Sequence, residues 1–157
     1  MVGEVSECRL KERTTLYNYV KSVGDLIGRE EALKLLRRIN VQRELKWIEE
    51  NLSKLDIKGN DAIAARDLLD AMFAALVPGY KPPKRLVNTA ERVIYENCGY
   101  CTIYEAAKNT GLTVEEVCGL SFDHEPAIKR LNPRLVKKTI DRRPEADCCR
   151  SEIILEK

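Results

Sequence analysis

The seven residues "PGYKPPK" at 78–84 limit the fold more than any other stretch of the chain. Three prolines and a glycine fall in that short span. Proline cannot continue a helix and has no N–H to give to a sheet ladder. The segment separates two kinds of patterning. It predicts a helical region over 1–79 and an α+β region over 84–157, which together form one compact unit of ordinary size for 157 residues.

Upstream the apolar residues return at helical spacing. Leu10, Leu16, Tyr17, Val20, Val23 and Ile27 predict a helix over 9–27 that stops at Gly28. Residues 29–53 continue with Leu33, Leu36, Ile39, Leu45, Ile48 and Leu52, and the period slips near residue 40, which divides the stretch into two helices. A further helix follows "KGND", capped by Asn60 or Asp61, and runs to Pro78.

Downstream the period changes. "RLVNTAERVIYENC" reads as a strand from its β-branched residues and partial alternation. "TIYEAAKNTG", "TVEEVCGLSF" and "HEPAIKRLN" read as short helices, with Thr113 and Glu116 spaced as a capping box. "RLVKKTIDR" and "RSEIILEK" read as two more strands. The expected class is therefore α+β: an N-terminal helical bundle followed by a small antiparallel sheet of about three strands with short helices.

Charge excludes little but directs the search. Lys and Arg number 27 against 25 Asp and Glu, so the net charge is +2 and general attraction to nucleic acid or anionic lipid is not expected. No apolar run approaches the ~20 residues needed to span a bilayer, and the start lacks the apolar core of a secretory leader. A cytoplasmic location is the expectation, and with it reduced thiols.

Five of the six cysteines lie beyond position 97. Cys98 and Cys101 form a C-x-x-C at a predicted strand end, where a tight turn at Gly99 can aim two sulfurs at one ion. Cys118 and either Cys149 or Cys148 complete a set of four, and His124, the single histidine, can replace one of them. Of the adjacent pair only one side chain faces the site, because neighbours in extended chain point opposite ways, and the position before the last strand favours Cys149. Zinc is the expected ion, an iron–sulfur cluster the alternative. Two other readings stand beside it: Cys118 as a packed core residue, and Cys98/Cys101 as a redox pair. Cys8 is isolated and reads as incidental.

From Cys98 to the end, "CGYCTIYEAAKNTGLTVEEVCGLSFDHEPAIKRLNPRLVKKTIDRRPEADCCRSEII" resembles the C-terminal part of the L-2-amino-thiazoline-4-carboxylic acid hydrolase-like family. Cys101 before the "EAA" helix, Cys118 after the "GLTVEE" turn, Asn132–Pro133 and the closing "EADCCRSEI" carry the likeness. Ala146 stands where the family's turn has Gly, and Thr102 where a proline follows the first cysteine. A looser likeness runs to 4-vinyl reductase-like, ligand-sensing domains. The resemblance implies a small hydrophobic ligand beside a structural zinc held by cysteines near this end.

Three function classes follow. The first is a sensor-like, small-molecule-binding metalloprotein, with Tyr95, Tyr100, Tyr104 and Phe122 as pocket candidates beside Tyr80. The second is a cysteine- or zinc-dependent hydrolase of a small heterocycle or amide, in which Cys101, His124 or Asp147 would act. The third is a helix-turn-helix over "EAAKNTGLTVEEV", which Glu115 and Glu116 oppose by repelling phosphate at the start of the second helix. A homodimer is compatible with all three.

Overall fold

The computed structural model describes residues 2–120 and 123–157, with the side chains of 2–5 and 120 also outside the description. Pocket candidate Phe122 therefore lies outside the described residues. The element order is α1 (Val2–Ile27), α2 (Arg29–Asn51), a 3₁₀ turn (Leu52–Lys54), α3 (Ala62–Leu76), β1 (Lys84–Asn88), β2 (Arg92–Asn97), α4 (Thr102–Thr110), a π turn (Glu115–Leu120), α5 (Glu125–Ile128), β3 (Leu135–Asp141) and β4 (Cys149–Leu155). No described helix is long and apolar enough to cross a membrane.

The expected α+β class is what forms, with helices first and a small antiparallel sheet after them. The sheet has four strands, in the order β1-β2-β4-β3. The stretch read as a single strand folds back on itself. Thr89 and Arg92 exchange backbone hydrogen bonds at 3.0 and 3.2 Å, which closes a β1–β2 hairpin. Its turn carries no Asn-Gly or Asp-Gly signal of the kind that marks tight hairpins in sequence. The expected division of residues 29–53 near position 40 is absent, since α2 is continuous to Asn51.

The chain makes two compact units, and neither is a linear half. The first comprises Met1–Val41 with Tyr100–Asp123, the second Gln42–Gly99 with His124–Lys157.

In the first unit, Tyr17 and Val20 of α1 share a core with Ala32, Leu33 and Leu36 of α2, Ala106 and Ala107 of α4, Leu112 and Val117. The alanines remove bulk where α4 approaches, which favours close helix packing. Gly28 takes φ +94 and Gly111 φ +68, so both helix ends use the left-handed conformation that a Cβ disfavours. Lys21 Nζ donates to the Thr110 carbonyl at 2.6 Å, placing positive charge at the C-terminal end of α4. The expected capping box forms: Glu116 N donates to Thr113 Oγ1 at 3.2 Å, and Thr113 N to Glu116 Oε2 at 2.7 Å. Beyond it the chain winds into the wider π turn rather than an ordinary α-helix.

In the second unit, Asp61 caps α3 by accepting from Ala64 N at 2.9 Å. The apolar side of α3 (Ala65, Leu68, Leu69, Met72) packs with Val93 and Tyr95 of β2, Ile153 of β4, Leu135 of β3 and Ile128 of α5. Val93 and Ile153 are direct partners in the β2–β4 register. That register sets everything that follows at the strand ends.

Candidate metal centre

β2 and β4 pair from Arg92↔Ile154 to Asn97↔Cys149. One step beyond the last pair, Cys98 and Cys148 are joined by a disulfide, with their Cα atoms 4.5 Å apart. Alternation along a strand gives the reason. Cys98, just past the end of β2, is two residues from Glu96, and Cys148, just before β4, is two from Arg150, so all four fall on the same side. Cys149 pairs with Asn97 on the other. The expectation that Cys149 meets the site is thus corrected: the partner of Cys98 is Cys148. The expectation of reduced thiols does not hold for these two.

Glu96 completes the group. Its carboxylate oxygen and the sulfurs of Cys98 and Cys148 all lie within 4.8 Å of one another. The same carboxylate accepts from Lys84 Nζ of β1 and from Arg150 Nε of β4, each at 3.3 Å. Arg150 Nη1 reaches on to Asp141 of β3 at 3.5 Å. A row of alternating charge therefore crosses all four strands beside the two sulfurs. The Lys84 hydrogen bond first, and Arg150 after it, hold the Glu96 carboxyl below its ordinary value against burial.

The donor set suits a thiophilic divalent ion. Two thiolates and a carboxylate are ordinary zinc ligands, and three protein ligands leave a fourth position open. The fit requires the reduced pair, because a disulfide sulfur has no thiolate to donate. Sequence reasoning missed Glu96, although its position two residues before Cys98 on a predicted strand was the available signal.

The other candidate cysteines are placed as follows. Cys101 is the N-cap residue of α4 and makes no side-chain capping bond there. Cys118 lies in the π turn against the first unit's core. Neither is disulfide-bonded, nor is Cys149. Cys101 and Cys118 belong to the first unit, Cys98 and Cys149 to the second. Both first-unit thiols act on Tyr17, whose phenol is fully buried. Burial pushes that phenol up to about 12; Arg13 opposes the rise, and Cys118 and Cys101 add to it. Cys8 is exposed, its sulfur 3.8 Å from Glu12 Oε1.

His124 has a specific place in the second unit. Its Nδ1 sits 2.9 and 3.0 Å from the two carboxylate oxygens of Glu44, which is 3% exposed. Phe73 meets its ring edge-on at 5.0 Å between centroids. Asp147 is exposed and engages Arg143 Nε through its main-chain oxygen at 2.9 Å. Tyr95 is core, with the Arg66 guanidinium 4.4 Å above its ring. Tyr100 is 60% exposed. Tyr104 is half-buried under Lys108 Nζ, 4.7 Å from its ring centre.

A second polar cluster was not anticipated. Asp70 on α3 accepts from Arg66 at 2.6 Å, from the Tyr80 hydroxyl at 2.6 Å and from Arg85 at 2.8 Å. Burial raises the Asp70 carboxyl, but the Arg66 hydrogen bond and charge, with Tyr80 and Arg85, outweigh it and bring it below its ordinary value. The four-residue spacing of Arg66 and Asp70 inside an apolar helix was the readable signal. Apart from Arg66 Nε, which is buried without a hydrogen-bond partner, these groups satisfy one another, so the cluster reads as structural.

Comparison of the chain with protein-family models, with curated proteins and with solved structures returns no match.

Proposed function

We propose that the chain is a sensor-like metalloprotein whose cysteine centre, built from Cys98, Cys148 and Glu96, holds zinc in the reduced state. The observation that carries this reading is the convergence of three donor atoms within 4.8 Å from residues fifty positions apart. Zinc held by three protein ligands keeps one position for a small molecule, water or an anionic ligand, and acts there as a Lewis acid. This is how the small-molecule reading and the metal reading become one. Lys84 and Arg150 set the charge around that position, favouring an anionic ligand over a cationic one.

The test uses the full chain, reduced with a phosphine, desalted and dialysed against buffered zinc. About one zinc per reduced chain is expected, with none on the oxidised chain. Cys98→Ser and Cys148→Ser should lose the metal, while Cys8→Ser and Cys149→Ser keep it. Absence of zinc on the reduced wild-type chain, or full retention by Cys98→Ser, overturns the reading. A brown preparation with broad visible absorption would assign the sulfurs to an iron–sulfur cluster instead.

A further inference from the structure

The sulfurs that would hold the ion are the same two atoms that the structure joins. We infer that Cys98 and Cys148 form a redox switch in which disulfide formation and metal occupancy exclude one another. The inference rests on the metal reading above and adds its regulation.

Three observations carry it. First, the two states need nearly the same backbone. Cys98 and Cys148 continue the β2–β4 register by one step, and their Cα atoms are already 4.5 Å apart. Interconversion thus asks only for side-chain movement at a strand end. Second, the pair belongs to neither hydrophobic core, and Cys98 is exposed, so a reagent in solution reaches a sulfur without unfolding the unit. Third, the carboxylate has a destination in each state. In the disulfide form Glu96 is held by Lys84 and Arg150 at 3.3 Å each. Those two cations neutralise it when no ion is present, so release of the metal strands no bare charge.

The oxidant class is a low-molecular-weight disulfide, RSSR. One cysteine thiolate attacks a sulfur of RSSR, and the first RS⁻ leaves. The second thiolate then attacks the protein sulfur of the mixed disulfide, and the second RS⁻ leaves. The protein pair gives up two electrons, the S–S bond of RSSR breaks as the Cys98–Cys148 bond forms, and Zn²⁺ departs with the two displaced thiolates balancing its charge. Reduction by two thiols runs the steps backwards and restores the site.

Linkage makes the claim quantitative. A ligand that binds only the reduced pair stabilises it by RT ln(1 + c/Kd), where c is the free ligand concentration. Free zinc held by a chelator buffer at a hundredfold its dissociation constant should make the pair about 100-fold harder to oxidise, which displaces the two-electron midpoint by about 59 mV. The experiment equilibrates the full chain in glutathione buffers of graded ratio, with and without the zinc buffer, and reads trapped thiols by mass. The expected result is that displacement, confined to peptides carrying Cys98 and Cys148 and smaller in Glu96→Gln. An unchanged midpoint, from a reduced chain that binds zinc in dialysis, overturns the switch and leaves the metal reading standing. A pair that stays oxidised across the whole glutathione range is a static staple and also overturns it. A reduced chain that binds no zinc removes the metal reading and the switch together.

Discussion

Glu96 and Arg150 face one another across β2 and β4, with Arg150 Nε 3.3 Å from Glu96 Oε2, and Lys84 closes on the same carboxylate from β1. Between these two cations, Lys84 has the larger hold on the carboxyl. Lys84→Ala should therefore raise the Glu96 pKa toward the ordinary glutamate value more than Arg150→Ala does. Carbon-detected NMR titration of the side-chain carboxyl measures both. The reverse order, or no change in either variant, would show that the row of charge does not govern this group.

The disulfide spans a sequence separation of 50. Loop-closure arguments assign about 4 kcal/mol of unfolded-state constraint to such a cross-link. Urea denaturation of the oxidised, metal-free chain should show Cys98→Ser and Cys148→Ser less stable by about 2–4 kcal/mol. Cys149→Ser should stay close to wild type, and added reductant should bring wild type down to the two variants.

Asp70 tests acid stability. Its carboxyl lies below the ordinary value in the folded chain, so its contribution is complete above the unfolded aspartate pKa and fades as pH falls through the folded value. Asp70→Asn also leaves Arg66, 2% exposed, without its anion, a change of about 3 kcal/mol near neutrality. The gap between wild type and Asp70→Asn should close in strong acid, as followed by urea midpoints across pH. A gap independent of pH would refute the assignment.

Glu44 and His124 form a pair whose members fail separately. His124→Leu leaves the buried Glu44 carboxyl without its nitrogen partner, at a cost of about 1–3 kcal/mol beyond the lost packing. Replacing both residues by leucine should recover part of that loss. A double-mutant cycle on thermal or urea stability measures the coupling, and a coupling of zero would mean that the contact is incidental.

Tyr17 offers the opposite sign. Its hydroxyl is buried with only the Arg13 side chain acting on it, so Tyr17→Phe removes a desolvated group at the loss of one weak polar contact. Stability should be unchanged or rise by about 1 kcal/mol. A clear loss in the urea midpoint would reveal a bond that the phenol makes in solution.

Local chemistry was legible in the sequence wherever one residue type answers one geometric need. Gly28 ends α1, Asp61 caps α3, and Thr113 with Glu116 close their box as read. The α+β order followed from the prolines at 78–84. What escaped depends on partners remote in sequence. The side taken by Cys148 or Cys149 turns on where β4 enters register with β2, and a slip of one residue exchanges them. The β1–β2 hairpin has no turn residue to announce it. Glu44, Glu96 and Asp70 look like surface carboxylates until the chain brings a histidine, two sulfurs or two arginines to them.

The interrupted make-up of the first unit has a consequence for synthesis. Ile27 closes α1 long before Thr102 opens α4, the helix whose alanines cover Tyr17. At ribosomal elongation speeds that interval lasts on the order of 4–15 s. During it the apolar side of α1 has only α2 to pack against, and the part that α4 covers in the finished unit stays bare. A nascent chain stalled before residue 100 should therefore recruit holding chaperones, and one released past residue 123 should shed them.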